Sequence, residues 1–224
     1  MKLVVATHNE GKLVEIRRIL EEDLGDAAAS IELVSAGSLR LPDPVETGVT
    51  FEQNALLKAS DVARRTGLPA VADDSGLVVD VMGGAPGILS ARWAGHHGDD
   101  AANNALLLAQ IEDIPDDKRT ARFRCAAALV VPGPVANADG EFPIAARTVE
   151  TGEMPGHILR APRGEHGFGY DPLFVPDDQP ARIADDPAAE PLTSAEMEPA
   201  EKNAISHRGK ALKALVPAIE ACIA

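Results

Sequence analysis

The stretch VADDSGLVVD, residues 71–80, places two adjacent carboxylates and a Ser-Gly pair between two apolar runs. This pattern predicts a buried strand, an acidic turn and a second strand, with Asp73 and Asp74 at the end of the first strand. An Asx-turn explains one aspartate, because its side chain can bond to nearby backbone groups. It explains two carboxylates beside Ser75 and Gly76 less well, so the stretch is a candidate functional site.

Strand and helix patterns alternate on both sides of this stretch. Further strands are predicted at 2–6, 31–35, 121–133, 142–156 and 169–176, and helices at 9–20, 51–66, 98–113 and 208–224. The alternation, without an internal repeat, predicts an α/β fold with a mixed central sheet flanked by helices. At 224 residues the chain can form one sizeable core. We therefore expect a single domain, residues 1–224, of two lobes with an active-site cleft between them.

Composition and charge limit the partners that this chain can have. The net charge of −14 and the pI near 4.8 argue against binding of DNA or RNA, which depends on many Lys and Arg contacts to phosphates. Cys125 and Cys222 match no C-x-x-C spacing, which favours a reduced cytosolic protein with structural thiols. Residues 1–20 lack the apolar core of a signal peptide, and no stretch of about 18 apolar residues occurs. We expect a cytoplasmic protein that binds neither nucleic acid nor membrane.

THNEGK, residues 7–12, lies where the first predicted strand meets the first predicted helix. Such a junction exposes unpaired backbone N–H groups and the positive end of the helix dipole, which together favour an anion. Thr7 and Asn9 can add hydrogen bonds, and Lys12 adds a full positive charge one turn into the helix. Phosphate is the natural ligand, although an ordinary helix cap with a solvated lysine explains the motif equally well. The motif is not a Walker A loop.

The carboxylates near the acidic turn are suited to a metal ion. Mg²⁺ takes one or two carboxylates together with waters and substrate phosphates, so Asp74 could hold it together with Glu46 from a Pro-rich loop. Such an ion would neutralise phosphate charge and activate a water for in-line attack. Asn54 and Lys58 follow this loop four residues apart, and they share one face of the next predicted helix.

GFGYDP, residues 167–172, places two aromatic residues around a glycine in a chain with only 3% aromatics. The faces of Phe168 and Tyr170 suit stacking on a flat heterocycle, and Asp171 could accept hydrogen bonds from its edge. The same two aromatic residues could instead belong to the core at a tight turn. Both readings stay open.

EKNAISHRGKAL, residues 201–212, groups Lys202, His207 and Arg208 near the start of a predicted helix. All three can donate to the oxygen atoms of a nucleotide, and their charge opposes that of the whole chain. A basic cluster can also be solvated surface, with Ser206 as an ordinary helix cap.

Five ordered motifs together carry a resemblance to a known family. They are THNEGK, ETGVTFEQNALLKA, ADDSGLVVDVMGGAPGILSARWAG, GFGYDPLF and EKNAISHRGKAL. In this order, from residue 2 to about residue 216, they closely resemble the dITP/XTP pyrophosphatase family, also called inosine triphosphate pyrophosphatases. The resemblance implies a Mg²⁺-dependent, homodimeric enzyme that hydrolyses deaminated purine nucleoside triphosphates to the monophosphate and pyrophosphate. Such enzymes cleanse the nucleotide pool.

The resemblance also implies a role for each matching residue. Asp74 is implied as general base and metal ligand, and Glu46 as the additional metal ligand. Phe168 would stack on the base. The substrate-binding residues that it implies are Thr7, His8, Asn9, Glu10, Gly11, Lys12, Lys58, Ser75, Phe168, Gly169, Tyr170, Asp171, Lys202, His207 and Arg208.

Selection of the base is expected to follow from hydrogen bonding. A purine with an oxygen at position 6 accepts where adenine donates, so donors such as His207 and Arg208 would reject ATP by leaving buried groups unpaired. The sequence does not explain how GTP is rejected. His8 stands where many relatives carry a small residue, and Met154 where tryptophan is frequent. Two alternatives stay open, a related pyrophosphatase of other modified nucleotides and a nucleotide sensor without catalysis.

Overall fold

The strand and helix patterns of the sequence form six strands and six α-helices in this computed structural model, which describes residues 1–8, 10–186 and 188–223. The strands are β1 (Lys2–Val5), β2 (Glu32–Ser35), β3 (Ala70–Val79), β4 (Thr120–Pro132), β5 (Ile144–Ile158) and β6 (Phe174–Pro176). The helices are α1 (Glu10–Leu24), α2 (Phe51–Thr66), α3 (Asp100–Gln110), α4 (Ala181–Ala184), α5 (Pro199–Ile205) and α6 (His207–Ile223). Within the described ranges, no helix is long and apolar enough to cross a membrane.

The six strands form one mixed sheet in the order β2-β1-β3-β4-β5-β6. Strand β1 pairs in parallel with β2 and with β3, whereas β5 and β6 are antiparallel. Parallel strands need crossover connections, and α1 and α2 lie in the two connections that join β1, β2 and β3. The predicted α/β fold with a mixed central sheet flanked by helices is confirmed.

The first compact unit comprises Met1–Asp74, Cys125–Gly152 and Arg208–Ala224. Ile16, Ile19 and Leu20 recur at helical spacing on α1 and are all buried, so one face of this helix packs into the core. Other members of the same core are Leu3, Val71, Leu129, Ala211 and Leu215. This packing fixes α1, α6 and the first half of β3, which carry the charged residues described below.

The second compact unit comprises Ser75–Arg124 and Glu153–His207. Phe123 and Phe174 meet edge to face in its core, with ring centroids 4.8 Å apart. Met154 is fully buried in the same core. Met154, a departure from the family resemblance, is therefore a packed core side chain.

Helix α2 is defined at both ends by its sequence. Thr50 Oγ1 accepts a hydrogen bond from Gln53 N at 3.2 Å, and Gly67 ends the helix in the left-handed conformation. Residues four apart lie on one face of a helix. Asn54 and Lys58 therefore project together from a helix whose start and end are both fixed.

The acidic pair lies inside a strand and not at a turn. Strand β3 runs without interruption through Asp73 and Asp74, so the predicted acidic turn between two strands is wrong. Sequence patterns place carboxylates at turns because an unpaired buried charge is costly. Cations from α1 and α6 offset that cost for Asp73, which allows the strand to continue.

Candidate active site

Asp73 pairs with two cations inside the first compact unit. Lys12 Nζ lies 3.0 Å from both carboxylate oxygens, and Arg208 Nε lies 3.1 Å from Oδ2. Arg208 Nη1 also donates to Glu15 Oε2 at 3.2 Å. The side chains of Asp73 and Arg208 are only 4% and 12% exposed. This network joins β3 to α1 and α6 through buried charges.

The two cations keep Asp73 ionised. Burial alone would raise the pKa of Asp73, but the charges of Lys12 and Arg208 outweigh burial and hold that pKa far below its usual range. Burial also opposes the charged form of Arg208, yet Asp73 and Glu15 raise its pKa. A carboxylate that binds protons so weakly is a poor general base, and this leaves Asp74 as the candidate for that role.

Asp74 has a separate set of partners in the first compact unit. Its Oδ1 accepts from Lys58 Nζ at 2.9 Å, and its Oδ2 accepts from Asn54 Nδ2 at 3.2 Å. Lys58 Nζ also donates to Glu46 Oε1 at 2.8 Å. Successive residues of a strand point to opposite faces, which explains why Asp73 and Asp74 have different partners. The two predicted metal ligands, Glu46 and Asp74, thus meet at one lysine.

Burial and neighbouring charges shift the pKa values of Asp74 and Lys58. Burial raises the pKa of Asp74, and the charge of Glu46 adds to this effect against the opposing charge of Lys58. Burial lowers the pKa of Lys58, but Asp74 and Glu46 outweigh it, so the pKa of Lys58 is raised. Asp74 is therefore more basic than an ordinary aspartate, while Lys58 keeps its charge.

Asn54 fixes the loop that carries Glu46. Its Oδ1 accepts from Gly48 N at 2.9 Å while its Nδ2 donates to Asp74. An added Cβ at Gly48 would lie 2.5 Å from Asn54 Oδ1, so the loop can approach α2 this closely only at a glycine. The predicted set of site residues omits Asn54, although its spacing of four from Lys58 is a sequence signal for a shared face.

Glu46 and Asp74 are the residues predicted to hold Mg²⁺. In the described part of the chain, no three His, Cys, Asp or Glu side chains are grouped closely enough to hold a metal alone. Two carboxylates that converge on one cation match the protein ligands that Mg²⁺ takes when waters and substrate phosphates complete its shell. The two residues match the carboxylate part of such a shell.

The predicted phosphate segment, residues 7–12, is described except for Asn9 and the side chain of Glu10. The predicted roles of these two residues lie outside the described residues. Lys12 donates to Asp73, and Thr7 O accepts from Gly37 N at 3.3 Å. The contacts of this segment with phosphate, including those of Gly11, stay predictions.

His8 is tied to the loop that leads to Glu46. Its Nε2 lies 2.8 Å from Leu41 O, and its Nδ1 lies 2.6 Å from Asp43 Oδ1. The ring therefore connects two loops of the first compact unit, a role that the sequence left open.

Phe168, Asp171 and Lys202 come together in the second compact unit. Lys202 Nζ donates to Asp171 Oδ2 at 2.5 Å and lies 5.4 Å from the centroid of the Phe168 ring. Phe168 N donates to the same oxygen at 2.9 Å. An added Cβ at Gly167, where φ is +81°, would overlap the Asp171 carboxylate. Asp171 is buried, whereas Phe168 is 68% exposed. The ion pair of Lys202 and Asp171 therefore lies beside an aromatic ring that is accessible for stacking.

Helix α3 holds the backbone beside this aromatic face. Gly169 N donates to Asp100 Oδ2 at 2.7 Å, and Gly169 O accepts from Asn104 Nδ2 at 2.9 Å. These partners lie 69 and 65 residues away in the sequence, so no local pattern could indicate them. Tyr170 is buried, and its hydroxyl donates to Ser90 O at 2.9 Å. Burial, with the charge of Asp100, raises the pKa of Tyr170 well above its usual range.

The remaining predicted substrate residues have partners of their own. The His207 ring stacks on Phe123 with centroids 5.1 Å apart, in the second compact unit. Arg208 is held by Asp73 in the first compact unit. Ser75 lies in β3 directly after Asp74 and is half-buried. The contacts of these residues with a base or a phosphate stay predictions.

The fold and the site define a class: an α/β protein in which two adjacent carboxylates of one strand are each paired with a different lysine. Residues 3–218 match the Ham1 family. A dITP/XTP pyrophosphatase of Bifidobacterium longum (strain DJO10A) is 71% identical, and the match covers 100% of both chains. A dITP/XTP pyrophosphatase of Nocardia farcinica is 52% identical over 98% of this chain and 95% of that one. The chain belongs to the Ham1 family.

Solved structures support the same assignment. The nucleoside-triphosphatase / dITP/XTP pyrophosphatase from Mycobacterium abscessus is 47% identical and has a TM-score of 0.72, over 98% of this chain and 100% of that one. A HAM1 protein from Coxiella burnetii is 38% identical with a TM-score of 0.78, over 99% of each chain. The resemblance stated from the sequence is confirmed. So is the prediction of an enzyme, a nucleoside-triphosphate pyrophosphatase among the hydrolases of phosphoric anhydrides.

Proposed function

We propose that this chain hydrolyses the non-standard purine nucleoside triphosphates ITP, dITP and XTP to the monophosphate and pyrophosphate, with Mg²⁺, and so cleanses the nucleotide pool. Relatives named for dITP and XTP, at 71% and 52% identity, support the substrate class. The observation that carries the chemistry is the setting of Asp74, whose two oxygens accept from Lys58 and Asn54 beside Glu46.

Asp74 is the general base in this proposal. Its carboxylate accepts a proton from a water whose oxygen forms a bond to the α-phosphorus. The bond from the α-phosphorus to the α,β-bridging oxygen breaks in the same displacement, and pyrophosphate leaves as one unit. Without a bound metal, burial raises the pKa of Asp74. Asn54 holds one of its two oxygens and so fixes its orientation towards the water.

Glu46 and Asp74 are the proposed ligands of Mg²⁺, which when bound neutralises phosphate charge and lowers the pKa of water. Thr7, Gly11 and Lys12 are the proposed phosphate contacts of the strand-to-helix junction. Lys12 Nζ is paired with Asp73, so a bound phosphate would share this ammonium with the carboxylate. Because the proposed reaction requires Mg²⁺, we expect chelation with EDTA to stop turnover and added Mg²⁺ to restore it.

Phe168 is the proposed stacking surface for the base. We expect Phe168→Ala to raise KM for ITP about 5- to 150-fold with a smaller change in kcat, because stacking of one base on an aromatic ring contributes about 1–3 kcal/mol. Steady-state kinetics with ITP measure this change. The control is Phe168→Trp, which keeps an aromatic face and is expected to keep KM near the wild-type value. An unchanged KM for Phe168→Ala would remove the residue from this role.

A substrate panel tests the proposed function as a whole. Purified protein with Mg²⁺ is given ITP, dITP, XTP, GTP and ATP, and pyrophosphate is separated from orthophosphate. We expect pyrophosphate from the first three substrates, with kcat/KM for ATP and GTP lower by about 100-fold or more. Comparable turnover of ATP, or release of orthophosphate alone, would contradict the proposal. A clear preference for another modified nucleotide would favour a related pyrophosphatase instead.

The proposal also includes a homodimer, one catalytic domain over residues 1–224 and a cytoplasmic location. These features rest on the family resemblance. Sedimentation equilibrium is expected to give a mass of about twice the 23.4 kDa of the chain.

A further inference from the structure

Lys58 lies where two carboxylates meet in the first compact unit. Its ammonium is 2.8 Å from Glu46 Oε1 and 2.9 Å from Asp74 Oδ1, and its side chain is only 15% exposed. Two neighbouring carboxylates repel each other unless a cation lies between them, and Lys58 supplies one positive charge at that point. A divalent ion held by the same two residues would need part of the same space.

We propose that Lys58 balances the charges of Glu46 and Asp74 in the metal-free protein, and that a divalent metal binds by displacing its ammonium from these two carboxylates. This inference rests on the proposed role of these two residues as metal ligands. An ammonium and a metal ion carry like charges, so they compete for the carboxylates. Lysine suits such an exchange because its compact charge sits at the end of a flexible four-carbon stem.

Asn54 keeps Asp74 and the loop of Glu46 in position while Lys58 moves. Its Nδ2 donates to Asp74 Oδ2, the oxygen that Lys58 does not contact, and its Oδ1 holds Gly48 N in the loop that carries Glu46. Both contacts are independent of the lysine. The metal therefore meets carboxylates that are already positioned, and displacement costs the Lys58 contacts alone.

The exchange couples the metal to the substrate. In the metal-free protein, Lys58 compensates the buried negative charges, which lowers the affinity for a metal in the absence of nucleotide. A triphosphate supplies both oxygen ligands for the metal and a new partner for the displaced ammonium. Metal and triphosphate are then expected to strengthen each other's binding, which is positive coupling between the two ligands.

Titration of the nucleotide-free full-length protein with Mn²⁺, followed by calorimetry, tests the inference without turnover. Lys58→Met removes the competing charge and is expected to bind Mn²⁺ about tenfold more tightly than wild type, or better. Lys58→Arg keeps the charge and is expected to stay close to wild type. Lys118→Met, at a lysine whose side chain is 69% exposed, is the control for loss of a lysine elsewhere.

Thermal unfolding gives a second readout. In EDTA, Lys58→Met is expected to unfold at a lower temperature than wild type, because two buried carboxylates lose their cation. Added Mg²⁺ is expected to raise that temperature more in the variant than in wild type, since a ligand that binds the folded state more tightly stabilises it more. Equal gains in the two proteins would overturn the inference.

The variant Glu46→Gln distinguishes an error in the proposed metal ligands from an error in the proposed displacement of Lys58. If this variant binds Mn²⁺ as tightly as wild type, the proposed metal ligands are wrong and the inference falls with them. If Glu46→Gln weakens binding while Lys58→Met leaves it unchanged or weaker, the metal site stands. In that case Lys58 organises the ligands and does not compete with the metal, and the inference alone is overturned.

Discussion

Replacement of Asp74 by asparagine is expected to lower kcat for ITP about 10³-fold while nucleotide binding changes little. Asparagine has nearly the same shape, so Asn54 and Lys58 keep a neighbour of similar size. It cannot take a proton from water, and general-base catalysis contributes about 10²- to 10⁴-fold. Steady-state kinetics at saturating Mg²⁺ measure the loss, and calorimetric titration with nucleotide measures binding.

Saturating Mg²⁺ matters in this experiment because Asp74 is also a proposed metal ligand. If kcat stays low however much Mg²⁺ is added, the loss lies in proton transfer and not in metal occupancy. Asp117→Asn changes a carboxylate that is 71% exposed and is expected to keep full activity. Substantial turnover by Asp74→Asn at saturating Mg²⁺ would rule out Asp74 as the base.

Replacement of Asp73 by asparagine is expected to lower the free energy of unfolding by about 3–5 kcal/mol, because it removes one partner from a buried ion-pair network. Lys12 and Arg208 would then remain in a largely enclosed site without the carboxylate that they share. For a chain of this length, the melting temperature is expected to fall by roughly 10 °C or more. Urea unfolding of wild type and variant measures the difference.

The control for Asp73 is an ion pair at the surface. Asp61 Oδ2 accepts from Arg65 Nε at 2.8 Å across one turn of α2, and the Arg65 side chain is 47% exposed. Pairs of this kind contribute about 0–1 kcal/mol. Asp61→Asn is therefore expected to change the free energy of unfolding much less than Asp73→Asn. Equal effects of the two variants would mean that the buried network does not stabilise the fold.

The free energy of unfolding of the wild-type protein is expected to depend on pH because of Asp73. Lys12 and Arg208 hold the pKa of Asp73 far below the value of about 3.9 for an unfolded chain. A carboxylate with a lowered pKa contributes stability that is complete above the unfolded pKa and is lost as the pH falls towards the folded pKa. The unfolding free energy of wild type should thus fall in acid, and that of Asp73→Asn should fall less steeply. Parallel curves would contradict this assignment.

Local structure followed from local patterns in this chain. The patterns at 2–6, 121–133 and 142–156 predicted the strands β1, β4 and β5, and the helical spacing of Ile16, Ile19 and Leu20 gave the buried face of α1. The Thr50 cap and Gly67 bound α2 for reasons that involve only neighbouring residues. The pair at 54 and 58 was also visible, since a spacing of four depends on helix geometry alone. The five motifs, read in order, further indicated the family.

Long-range contacts decided the rest. The aspartates at 73 and 74 are chemically identical neighbours, and their sequence predicted a turn. Lys12 and Arg208, 61 and 135 residues away from Asp73, neutralise its charge and let β3 continue as a strand. The pleat then directs Asp74 to other partners, where burial raises its pKa.

The sequence by itself therefore determined which elements form, where α2 begins and ends, and which motifs the chain shares with its family, because each of these depends on neighbouring residues or on order along the chain. Only the tertiary structure decided which carboxylate is locked in an ion-pair network and which is left basic, because the pKa of a buried group depends on charges brought near it by the fold. The adjacent aspartates of VADDSGLVVD, Asp73 and Asp74, are thus the same residue type in two different chemical environments.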